Sequence, residues 1–115
     1  MARSQFVPDA GDFVWLDFSP QAGREQAGRR PALVLSPASY NRKSGLALAC
    51  PITSQVKGYP FEVILPKNPN GIRGAVLSDH VKSIDWQSRR AERAGRAIPE
   101  VVAEVRERIA ALLGV

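Results

Sequence analysis

The chain holds one cysteine, one histidine and one methionine among 115 residues. A lone Cys50 excludes an internal disulfide and any cysteine-built metal cluster. A lone His80 cannot supply a histidine pair for acid–base catalysis, and no grouping of Cys, His, Asp and Glu has metal-ligand spacing, so neither metal nor cofactor is expected. No apolar run approaches the roughly 20 residues that span a bilayer, and no membrane partner is expected. The opening Met1-Ala2-Arg3-Ser4-Gln5-Phe6 has no apolar signal-type segment, which makes the cytoplasm the expected location. A phosphate loop of the nucleotide-binding kind is missing, because Gly71-Ile72-Arg73-Gly74 does not run into the required lysine and hydroxyl. Asp79-His80 has no glycine-flanked serine turn to complete a hydrolase triad. Internal repeats, low-complexity tracts and linkers are absent as well.

What is present fits one domain over residues 1–115, enough for a single hydrophobic core. Hydrophobic content of 44% and charged content of 23% are those of a soluble globular protein. The net charge of +5 favours an anionic partner, a nucleic acid, an acidic protein tail or both, with a merely soluble basic protein as the plainer alternative.

Aromatic and β-branched residues predict a first strand over Phe13–Phe18. Residues 19–30 then form a polar loop longer than a hairpin needs, with Gly23 and Gly28 as points of movement. A second strand is predicted from Pro31 to Ser36. A short helical turn follows, capped by Ser36 with Pro37 in its first position. The third strand, Leu46–Thr53, contains Pro51 and is therefore expected at or near an edge. Further strands are predicted at Phe61–Leu65, Ala75–Leu77 and Val81–Ile84. Residues 87–97, with Arg89, Arg90, Arg93 and Arg96, leave strand and helix open. Pro99 and Glu100 begin a helix whose Val101, Val102, Val105, Ile109, Leu112 and Leu113 share one face, and Gly114 ends it. Many short strands with one late helix predict a mainly β fold: a small, strongly curved sheet or barrel with a C-terminal helix laid on it.

The residues able to carry chemistry are arginines, hydroxyls and one carboxylate. Arg29 or Arg30 can grip a phosphate through paired charge-assisted hydrogen bonds. Thr53 and Ser54, at a strand end, can donate to phosphate oxygens, and Glu25 can accept a proton. An ion pair at the loop surface and an ordinary strand-end threonine are the plainer alternatives. Trp86 is left undecided, and Cys50 reads as a small buried apolar residue.

The run Glu25-Gln26-Ala27-Gly28-Arg29-Arg30-Pro31-Ala32-Leu33-Val34-Leu35-Ser36-Pro37 resembles the signature loop and second strand of the MazF toxins, the PemK/Kid-like ribonucleases of type II toxin–antitoxin systems. The likeness continues through Pro51-Ile52-Thr53-Ser54, Lys57-Gly58-Tyr59-Pro60-Phe61-Glu62-Val63 and Asp79-His80-Val81-Lys82-Ser83-Ile84-Asp85-Trp86, in order. The resemblance implies an SH3-like barrel of the MazF/CcdB kind that works as a homodimer. It implies a metal-independent endoribonuclease, an mRNA interferase, that cuts single-stranded RNA at a short sequence. Its partner would be a MazE-like antitoxin with an acidic tail, and DNA would be met only through the antitoxin complex. The catalytic arginine falls on Arg30, the threonine on Thr53 and the acidic loop residue on Glu25. Arg29, Gln26, Ser54, Lys57 and His80 are the expected substrate contacts. The 2′-hydroxyl of RNA would be the nucleophile, leaving a 2′,3′-cyclic phosphate and a 5′-hydroxyl, with Arg30 stabilising charge and Glu25 the better base. The alternative is a non-catalytic toxin or binding module of the same fold, such as a CcdB-like gyrase poison. The C-terminal Leu112-Leu113-Gly114-Val115, lacking the tryptophan of those poisons, disfavours it.

Overall fold

The computed structural model describes residues 6–18 and 28–115. Its elements in chain order are β1 (Asp12–Phe18), β2 (Gly28–Val34), α1 (Ala38–Ser44), β3 (Leu46–Thr53), β4 (Glu62–Ile64) and β5 (Ala75–Leu77). A single 3-10 turn (Ser78–His80) leads to β6 (Lys82–Asp85), β7 (Glu92–Arg96) and α2 (Pro99–Leu113). All the strand pairs are antiparallel, in the order β4-β5-β3-β2-β1-β7, with β6 alongside β3. The mainly β fold with a C-terminal helix is the one expected.

Strand β3 is the spine. One side pairs with β2, while the other is shared, Leu46–Ala49 with β6 and Ile52–Thr53 with β5. The expectation that Pro51 marks an edge is therefore corrected, because β3 lies inside the sheet. Pro51 falls where β6 has ended and β5 has not begun, so its missing N–H interrupts neither ladder. Strand alternation gives the sheet two apolar faces. Phe13, Leu33, Cys50, Ile52 and Val76 pack beneath Val101, Val102 and Val105 of α2. Val14, Leu16, Ala32, Val34, Ala47 and Ala49 form the second face with Ile84 and Trp86.

Several boundaries move. Strand β2 begins at Gly28, not Pro31, so Arg29 and Arg30 stand on the strand, opposite Asp17 and Leu16 of β1. The short helix starts one residue later than predicted, with Pro37 in the cap position, where it has no side chain to cap with. That role passes to Asp9, whose carboxylate accepts the Ala38 N–H at 2.9 Å. Ser36 instead donates its hydroxyl to Asn41 Oδ1 at 2.6 Å. Fully buried Asn41 gathers the neighbourhood: its amide donates to the Pro8 and Ser36 carbonyls, and its own carbonyl accepts Trp86 Nε1–H at 3.0 Å. Trp86 is thus a core residue. The open segment 87–97 resolves as a turn through Arg90 followed by strand β7. Helix α2 matches its expected span and ends at Gly114 in the left-handed region, φ 79°.

Candidate active site

The β2–β3 ladder runs from Val34 opposite Ala49 to Ala32 opposite Pro51. Two residues further on stand Arg30 and Thr53, at the same end of the sheet. Each shares a face with Ala32 or Pro51, since alternate strand residues point the same way. The register thus carries a guanidinium and a hydroxyl from distant parts of the sequence toward one place. Among the described residues, no ion pair engages Arg30.

Alternation sends Arg29 to the other face. Its guanidinium donates to Asp17 Oδ1 at 2.7 Å, the Arg90 carbonyl at 2.6 Å, Glu92 Oε1 at 3.2 Å and the Trp15 carbonyl at 3.3 Å. Those contacts tie β2 to β1 and to the approach of β7. The neighbouring arginines are engaged in a similar way. Arg90 pairs with Asp17 at 3.1 Å, Arg89 donates to the Asp17 carbonyl, and Arg93 and Arg96 flank buried Asp12 at 3.5 and 2.7 Å.

Thr53 is fixed by its surroundings. Its Oγ1 accepts the Gln55 N–H at 3.0 Å, which leaves the hydroxyl proton available for donation. Behind it Gly74, at φ +109°, packs so closely that a Cβ would sit 1.9 Å from the Thr53 carbonyl oxygen. Thr53 opens on a cavity of about 220 Å³ lined by Gln55, Lys57, Tyr59, Glu62, Leu77, Asp79 and His80. Three expected site residues, Thr53, Lys57 and His80, therefore meet around one depression. Ser54 is exposed beside Thr53 and does not line it. His80 Nε2 lies 3.9 Å from the Asp79 carboxylate, with both side chains partly exposed. Glu25 and Gln26 lie outside the described residues.

The residue that sequence reasoning missed is Glu62. It reads as an ordinary polar position of a strand, yet it is only 7% exposed. Its carboxylate accepts the Lys57 and Gly58 backbone N–H groups at 3.1 and 2.8 Å. No local signal marked it: alternation gives Val63 and Leu65 to the core and sets Glu62 on the face of exposed Ile64, so its burial comes from the turn that folds over it. Among the described residues, no three of His, Cys, Asp or Glu are grouped to hold a metal ion. Cys50 is buried, and desolvation with a contribution from the Asp79 charge pushes its thiol up to about 12.

Comparison with known proteins agrees with this architecture. The chain is 49% identical over 111 residues to the endoribonuclease toxin MazF of Escherichia coli K12, covering 96% of this chain and 98% of that protein. The crystal structure of MazF (Form-I) from Deinococcus radiodurans superposes with a TM-score of 0.87 at 60% identity, over 96% of this chain and 100% of that one. MazF in a MazE–MazF complex (Form-II) from the same organism gives 0.89 at 60% identity, over 96% and 99%. Residues 9–113 match the family described as PemK-like, MazF-like toxin of type II toxin-antitoxin system. This chain belongs to that PemK/MazF family of toxins.

Proposed function

We propose that the chain is an endoribonuclease toxin that cuts single-stranded RNA with Arg30 and Thr53, without a metal ion. The observation that carries the reading is the β2–β3 register, whose last pair, Ala32 opposite Pro51, lies two residues from Arg30 on one strand and from Thr53 on the other. Membership of a family whose E. coli member is named an endoribonuclease supports it.

In the reaction the 2′-oxygen attacks the adjacent phosphorus and the 5′-oxygen leaves. The products are a 2′,3′-cyclic phosphate and, once the leaving oxygen takes a proton from water, a 5′-hydroxyl. Charge builds on the non-bridging oxygens, where the Arg30 guanidinium and the Thr53 hydroxyl donate. Arg30 stays protonated, so it suits charge stabilisation. The proton of the 2′-hydroxyl goes to Glu25, the carboxylate of the 19–30 segment. Gln26 and Ser54 contact the RNA beside the scissile phosphate. Lys57 and His80, on the cavity rim, contact its backbone and a neighbouring nucleotide. Arg29 keeps β1, β2 and β7 together and so holds the strand that presents Arg30.

The protein acts as one domain in the cytoplasm, pairs with a MazE-like antitoxin carrying an acidic tail, and meets DNA only through that complex. MazE–MazF complexes of Deinococcus radiodurans support the antitoxin partner. Homodimerisation accords with the exposed Leu46, Leu48, Leu112 and Leu113.

A defined single-stranded RNA in EDTA provides the test. Removing one preorganised donor costs about 10²–10³ in rate, which is the loss expected for Arg30→Ala. Thr53→Val should lose rate with the melting temperature unchanged. Parent-like cleavage by Arg30→Ala, or RNA bound by the parent but left intact, would overturn the reading.

A further inference from the structure

Resting on that nuclease reading, we infer that Glu62 is the positioning residue of the Thr53 cavity: it holds the turn that carries Lys57 so that the ammonium meets the RNA backbone. Glu62 opens β4, opposite Leu77 of β5, and its neighbour Val63 is buried in the core beneath α2. The chain between Thr53 and β4 has no regular structure of its own beyond a turn at its end. Its fastenings are few. Glu62 Oε1 takes the Gly58 N–H at 2.8 Å, while both carboxylate oxygens face the Lys57 N–H at 3.1 and 3.2 Å. The Glu62 N–H returns to the Tyr59 carbonyl at 3.0 Å, and Arg108 of α2 donates to the Pro60 carbonyl. The Lys57 end of the turn is thus held to the core by one carboxylate.

A carboxylate is the group this geometry needs. It offers acceptors only, and its full charge strengthens each bond from a backbone N–H. A glutamine amide has one acceptor oxygen and would turn an N–H₂ group toward one of the two donors. Among the described residues Glu62 pairs with no cation, so it is a negative charge in the wall of a site that takes a polyanion. That makes the sign of the test decisive. On charge alone, Glu62→Gln removes a repulsion and binds RNA more tightly. As a positioning residue its loss binds RNA more weakly, because the Lys57 contact goes with it.

The probe is a mixed-sequence single-stranded 2′-O-methyl RNA, which offers no 2′-hydroxyl to attack. Binding to the full chain is followed by fluorescence anisotropy across a salt series. Glu62→Gln is expected to bind about two- to fivefold more weakly, the value of one exposed ion contact. Its plot of log affinity against log salt should flatten by about 0.7, one phosphate contact on a single strand. Lys57→Ala should do the same, and the double variant should lose nothing more. A purely structural role would lower the melting temperature and the binding-competent fraction while leaving the salt slope as in the parent.

Gly58→Ala supplies a second approach should Glu62→Gln fold poorly. Its φ of +83° strains an alanine in the same turn while a Cβ there meets nothing within 4 Å. It should show the same weakening and the same non-additivity with Lys57→Ala. Equal or tighter binding by both variants, or losses that multiply with Lys57→Ala, would overturn the assignment. A parent that binds this RNA with the expected slope but cleaves no RNA would sink the nuclease reading while leaving Glu62 in its role. A parent that binds no RNA would sink both.

Discussion

Substituting Gly74 by alanine tests whether Thr53 must be held where it stands. The added Cβ would lie 1.9 Å from the Thr53 carbonyl oxygen, 2.8 Å from its carbonyl carbon and 2.9 Å from Ser54 Cα. Real Cβ atoms keep at least 3.0 Å, so the closest contact falls short by roughly 1.1 Å and the obstacle is backbone. Gly74 cannot back away easily. Its carbonyl accepts the Leu65 N–H at 2.9 Å, and the next residue, Ala75, is paired with both Thr53 and Ile64. The relief therefore comes from the end of β3.

Overpacking of this sort costs about 1–3 kcal/mol. Forcing an alanine to φ +109° adds a backbone penalty of about 1–3 kcal/mol. A combined loss of about 3 kcal/mol would lower the melting temperature by roughly 12 °C in a domain of this size. A displacement of order 1 Å in the hydroxyl can cost up to about 10²-fold in rate. The assay is single-turnover cleavage of a defined RNA well below the melting transition, beside a thermal melt. The control is Gly45→Ala, at φ +77° with nothing within 4 Å of a Cβ, in the cap of α1 and away from the site. It should lose about 1–2 kcal/mol of stability and keep its activity. Gly74→Ala with parental melting and parental rate would refute the reasoning. A fall in stability with no fall in rate would refute the link from Gly74 to Thr53.

Two further outcomes are expected. The Ala38 N–H, bonded to Asp9, holds that carboxyl below its ordinary 3.8. A depressed carboxylate contributes stability that is complete above 3.8 and is lost as pH falls through the lower folded value. The stability gap between the parent and Asp9→Asn, read by thermal melts across pH, should therefore close on acidification; a gap that widens as pH falls would contradict the capping role. Cys50, with its thiol pushed up to about 12, should resist a maleimide in the native chain near about pH 8 and react quickly in denaturant. Rapid native labelling would show that the core under α2 opens.

How much of this was written in the sequence depended on whether a segment's signal lay within itself. Helix α2 carries its own period, its proline and acid at the start, and its glycine at the end, and its span was legible. Strand β3 was legible in extent and wrong in place, because what rescues Pro51 is the change of partner from β6 to β5, a fact about other strands. Strand β7 carries Arg93, Gly95 and Arg96 where a strand would show apolar alternation. Its reason for being a strand lies in Asp12 of β1, which holds Arg93 and Arg96. Arg30 and Thr53 were singled out by the resemblance to the family's motif, while the register that sets both beyond the Ala32–Pro51 pair is stated by no local pattern. Glu62 was illegible because its meaning comes from a turn folding back onto it. What the sequence did not state of Arg29 is its set of acceptors on β1 and at the approach of β7, which lie far from it along the chain.

The position of β1 between β2 and β7 has a consequence in time. Asp12 and Arg96, joined across that outer seam, are 84 residues apart in sequence. Pairings of such long range make folding slow, although each doubling of loop length adds only about 0.6 kcal/mol to closure. While the chain is being made, β1 keeps an unpaired outer edge until β7 exists, and Phe13, Leu33 and Ile52 stay uncovered until α2 arrives. The clamp on Arg29 waits as well, since the Arg90 carbonyl and Glu92 are among its acceptors. The strand that carries Arg30 is therefore clamped only after residues 61 and 63 positions beyond Arg29 in the chain have been made.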